Sequence, residues 1–68
     1  MSKVSRSKSP KEVRKMLLAD GWIERGGKGD HVNFKKPGNP SLITLDVGVR
    51  ELPIGTLHSI YRKAGWAW

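Results

Sequence analysis

Gly26-Gly27-Lys28-Gly29-Asp30-His31-Val32-Asn33-Phe34-Lys35-Lys36 runs from a glycine-rich turn straight into an alternating segment. Successive side chains of a strand point to opposite faces. Val32 and Phe34 are therefore expected to face a core, and His31, Asn33 and Lys35 to share the other face. That reading puts one imidazole on an open sheet surface, beside cations and a glycine-rich turn.

Working outward, the flanks supply the rest of a meander. Trp22 to Arg25 reads as a short extended segment before the turn. Pro37-Gly38-Asn39-Pro40 reads as a second turn, built from residues that turns favour. Ser41 to Val47 alternates again, with Ile43, Leu45 and Val47 on one face and Leu42, Thr44 and Asp46 on the other. Two hairpins in series predict three antiparallel strands.

Helical patterns bracket the strands. Ser9-Pro10-Lys11-Glu12 is a helix start: Ser9 caps, Pro10 suits the first helical position and Glu12 completes a capping box. Val13, Met16 and Leu17 make one apolar stripe, and Gly21 is placed to end the helix. The first helix is expected over about 10–20. Leu57, Ile60, Tyr61 and Ala64 predict a second over about 55–64, closed by Gly65, with His58 on its solvated flank. The tail Trp66-Ala67-Trp68 is expected to pack on the domain edge, since tryptophan is largely buried on average. The order is helix, three strands, helix. One sheet face covers both apolar stripes, and the other stays open. The expected class is α+β, of the double-stranded-RNA-binding-domain type, with both helices on one face.

Composition agrees with a surface site. A chain of 68 residues buries only about 60% of the surface that its unfolded form exposes, which disfavours a deep small-molecule pocket. Net charge is +7. Residues 1–36 carry ten basic and four acidic side chains, and residues 37–68 only three and two. A basic half on a small domain is the footprint of a nucleic acid or an acidic protein partner. Residues 1–8 are expected to be a flexible basic tail and 9–68 a single domain. There is no cysteine, no apolar stretch resembling a signal peptide and no membrane-length run, so a cytoplasmic location is expected. The carboxylates are scattered, without the spacing of a metal cluster. Gly26-Gly27-Lys28-Gly29 leads into a strand, whereas phosphate-cradling P-loops lead into a helix. It reads as a hairpin turn with Lys28 at its tip.

Four segments carry a family resemblance. Lys11-Glu12-Val13 opens a helix that closes on Asp20-Gly21-Trp22. Gly29-Asp30-His31 precedes the strand containing Phe34 and a later Pro37. Glu51-Leu52 precedes Gly55-Thr56-Leu57 and Ile60, and Ala64-Gly65 closes the domain. In order and spacing these resemble the HicA (YcfA-like) toxins, small mRNA interferases of type II toxin–antitoxin systems, over about residues 10–65. The resemblance implies metal-independent, translation-independent cleavage of mRNA. It also implies a HicB-type antitoxin that occludes the active site. The family's catalytic histidine carries over onto His31. Lys28, Gly29, Asn33 and Lys35 are then the expected substrate-binding residues, with Arg25 a further candidate for the phosphate charge. Two departures stand out. Asp30 occupies the position where the family usually has serine. Asp46-Val47-Gly48-Val49 replaces the Pro-x-His element that many members carry after the third strand.

Histidine suits proton transfer near neutral pH. Cleaving RNA through its 2′-hydroxyl needs one proton removed and another supplied, and one histidine does one of these at a time. Asp30 is expected mainly to form the turn. Two other readings stay open on the residues alone: a non-catalytic RNA-binding module of the same fold, and an adaptor for an acidic protein.

Overall fold

The computed structural model describes residues 8–68. The elements follow the order α1 (Pro10–Ala19), β1 (Ile23–Arg25), β2 (His31–Lys36), β3 (Asn39–Asp46) and α2 (Ile54–Ala64). The three strands form one antiparallel sheet in the order β1-β2-β3. The proposed tail falls almost wholly on residues 1–7, outside the described residues. Lys8 is tied to the domain, its carbonyl accepting the Leu52 N–H at 3.0 Å.

Local chemistry explains the helix ends. The Ser9 hydroxyl accepts the Glu12 N–H, and the Glu12 carboxylate accepts the Ser9 N–H, at 3.2 and 2.8 Å. This reciprocal bonding satisfies two donors that a helix start leaves unpaired. Gly21 (φ +91°) and Gly65 (φ +79°) follow the two helices in a left-handed conformation that costs glycine nothing sterically.

The core is one cluster: Val13 and Leu17 from α1, Phe34 from β2, Ile43 and Leu45 from β3, Leu57 and Ile60 from α2, with Trp22 and Leu52 from connections. β2 and β3 contribute only alternate residues, and Val32 packs against the same cluster. Both helices therefore lie on one face, and among the described residues no element covers the other. This is the double-stranded-RNA-binding-domain type of arrangement.

The second hairpin differs from expectation. Its turn is only Pro37-Gly38, and Asn39 and Pro40 already belong to β3. Proline presets the first central position of such a turn, and Gly38 at φ +85° meets the positive φ of the second. The strands keep pairing because a register shift between Phe34 and Lys36 absorbs the prolonged strand. Pro40 is tolerated because β3 is an edge strand. Val47 also departs from its expected place. It lies past the end of β3 and is 41% exposed rather than in the core.

The C-terminal tail packs on the domain edge as expected, through a polar hub that alternation does not reveal. One oxygen of Asp20 accepts the indole N–H groups of Trp66 (3.0 Å) and Trp22 (3.2 Å) and the Lys36 ammonium (3.3 Å). The Trp66 hydrogen bond, then Lys36, holds the Asp20 carboxyl below its ordinary value. A depressed folded value means that the stabilisation is complete above the ordinary aspartate range, and is lost as pH falls through the lower folded value. Acid titration is expected to free the Trp66 indole, read as a shift of its N–H resonance. In Asp20→Asn that transition should vanish. An unchanged titration in the variant would contradict the hub. His58 is not simply solvated either: its ring stacks on Trp68 with centroids 4.5 Å apart.

Candidate functional site

The uncovered face is a small grid set by strand register. Ile23 pairs with Lys35, Arg25 with Asn33, Asn33 with Thr44, and His31 with Asp46. Directly opposed residues of an antiparallel sheet project to the same side. The face therefore grades from exposed Ile23 and Leu42, through Lys35, Arg25, Asn33 and Thr44, to His31 and Asp46 at the other end. The Thr44 hydroxyl donates to the Asn33 side-chain oxygen at 2.9 Å, which fixes the centre of the grid.

A tight turn delivers His31. The Lys28 carbonyl accepts the His31 N–H at 3.1 Å. Gly29, the first central residue, has φ +61°, while Asp30 keeps a negative φ. That is the pattern of a type II′ hairpin turn, which demands glycine at the first central position. Lys28 and Gly29 stand at this tip beside His31; Asn33 and Lys35 follow it along β2 on the same face. The structure thus brings together all five residues singled out from sequence. Gly29 is accounted for by the turn itself.

Two glycines hold the histidine segment in place. A Cβ on Gly27 would collide with the His31 backbone carbonyl, and one on Gly48 would lie 2.5 Å from Asp30 Oδ2. The Gly48 contact is with a side chain, which can swing aside. The Gly27 contact is with backbone, which cannot. Gly27→Ala is therefore expected to displace the start of β2 and to reduce activity strongly in protein that still contains both helices. Circular dichroism together with a cleavage assay checks this. Wild-type activity in the variant would show that the close approach is unimportant.

Asp46 also lies on this face. Alternation assigned its face, but only the register places it opposite His31. Its Oδ1 accepts the Gly48 N–H at 2.9 Å. Beyond it, the Val47 N–H donates to the Asp30 carbonyl at 2.8 Å. From there a groove of about 370 Å³, lined by Val47, Val49, Lys11, Arg14 and Arg50 among others, continues round to the start of α1. Arg14 is partly engaged by an ion pair with Glu24 at 2.8 Å.

Fold and site together define a small basic α+β domain of the double-stranded-RNA-binding-domain type, with a histidine on its uncovered sheet face. Over residues 10–66 the chain matches the model of the HicA toxin of bacterial toxin–antitoxin systems. The chain belongs to the HicA toxin family, and its role is that of a toxin paired with an antitoxin. No curated protein matches it. No helix among the described residues is long and apolar enough to cross a membrane.

Proposed function

We propose that this toxin is an endoribonuclease that cleaves mRNA in the cytoplasm and blocks translation, with His31 transferring a proton at the scissile phosphate. The observation that carries this reading is the exposure of His31 on a face that no helix covers, with Lys28, Lys35 and Arg25 nearby. A polymer reaches such a site without entering a cavity. The cations oppose the charge that builds on the phosphorane, and electrostatic stabilisation of this kind is often the largest catalytic contribution. Asn33, held by Thr44, offers its amide N–H groups to the ribose or phosphate.

The antitoxin is of the HicB type and covers this same face. Its contact surface presents acidic groups to Lys28 and Lys35 and apolar ones to Ile23 and Leu42. The toxin is then silent because RNA and antitoxin compete for one surface.

Induced expression of wild type and of His31→Ala, with growth and full-length mRNA followed together, tests the proposal. Wild type is expected to stop growth and deplete mRNA, and His31→Ala to do neither. If both proteins bind RNA with steep salt dependence and neither cuts it, the chain is a binding module and the proposal fails.

A further inference from the structure

In-line attack by a ribose 2′-oxygen leaves a problem that His31 does not solve alone. A proton must leave the 2′-hydroxyl and another must reach the departing 5′-oxygen. The second group stands directly across the strand pair. Asp30 and Val47 form a hydrogen-bonded step through the Val47 N–H. The next step, His31 and Asp46, is then the closely spaced kind, with Cα atoms about 4.5 Å apart and side chains nearest one another. The Gly48 N–H holds Asp46 Oδ1. Among the described residues neither Asp46 Oδ2 nor the His31 ring has a hydrogen-bond partner. An imidazole and a carboxylate thus share one open end of the sheet, with no hydrogen bond between them.

We infer that Asp46 is the general base of the cleavage and His31 its general acid. This rests on the ribonuclease reading above. Asp46 Oδ2 takes the 2′-hydroxyl proton as the O2′–P bond forms. The protonated His31 ring gives its proton to the 5′-oxygen as the P–O5′ bond breaks. The products are a 2′,3′-cyclic phosphate and a 5′-hydroxyl. Asp46 ends protonated and His31 neutral, and both are reset by exchange with solvent. A base and an acid that act together give a rate that rises and then falls with pH, a bell-shaped profile. The other charged groups near the pair are Asp30, whose carboxylate lies against Gly48, Lys28 in the turn, and Arg25 and Lys35 on the face. Among the described residues no element packs over the pair from the open side.

The test uses the full purified chain and randomised-sequence RNA, with cleavage measured from pH 4 to 8. Asp46→Asn keeps an acceptor for the Gly48 N–H and is expected to slow cleavage about 10²–10³-fold. It should also abolish the bell, because hydroxide then replaces the base and the rate no longer falls at high pH. Asp46→Ser, which also keeps a short acceptor, does the same if the asparagine variant folds poorly. Asp30→Asn should keep the bell. A bridging 5′-phosphorothiolate in the RNA supplies a leaving group that needs no acid. It should restore cleavage by His31→Ala but not by Asp46→Asn. Cleavage by Asp46→Asn at the wild-type rate, or slow cleavage with the bell intact, overturns the role of Asp46 while leaving His31 in place. Rescue of Asp46→Asn rather than His31→Ala overturns the division of roles. Full activity in His31→Ala overturns the ribonuclease reading beneath both.

Discussion

His31→Ala is expected to lower RNA cleavage by about 10²–10⁴-fold, the usual contribution of one positioned acid or base, while leaving thermal unfolding almost unchanged. The imidazole is exposed and has no hydrogen-bond partner among the described residues, so its removal creates neither a cavity nor an orphaned polar group. Surface substitutions of this sort rarely move stability appreciably. What remains at position 31 is the backbone, and the backbone carries the local structure through the Lys28 carbonyl and the close approach of Gly27. The variant should therefore still bind RNA and the antitoxin. RNA affinity close to wild type with cleavage lost separates chemistry from binding. A melting curve followed by tryptophan fluorescence confirms that the fold is kept, since Trp22 is a core residue and Trp66 packs against the core.

Phe34→Ala is expected to have the largest effect on stability. Phe34 is fully buried at the centre of the middle strand, among side chains from both helices. Phenylalanine truncations in cores cost about 3–5 kcal/mol. A chain this size has about 3–10 kcal/mol in total. The variant should be substantially unfolded at growth temperature, and toxicity should disappear with it. Urea denaturation measures the loss directly. A midpoint near that of wild type would mean that the sheet face and helices are not joined through this residue. Unlike His31→Ala, this variant should lose RNA binding and antitoxin binding together.

How much of this was legible in sequence divides along a physical line. Alternation in β2 follows from the pleat, which is local, so Phe34 inward and His31 outward could be read from six residues. The capping box was legible for the same reason, since Ser9 and Glu12 are three residues apart. Register is not local. The pairing of His31 with Asp46 depends on the length of the Pro37-Gly38 turn and on the shift after Phe34, and neither follows from a residue's own neighbours. That is why the position of Asp46 opposite His31 is not legible in the sequence. The Asp20 hub was hidden likewise, because it joins residues from α1, β2 and the far C-terminus. His58 was legible as off the apolar stripe, but its stacking on Trp68 needed the path of the tail. In the sequence Gly27 is legible only as part of a glycine-rich turn. Its collision with the His31 carbonyl appears once the hairpin is closed.

The most direct measurement is the end chemistry of RNA incubated with purified wild-type chain and with His31→Ala, in buffer containing EDTA. Side-chain proton transfer at His31 predicts new 2′,3′-cyclic phosphate and 5′-hydroxyl ends with wild type and none with the variant. Equal cleavage by the two proteins, or 5′-phosphate and 3′-hydroxyl ends, would contradict it.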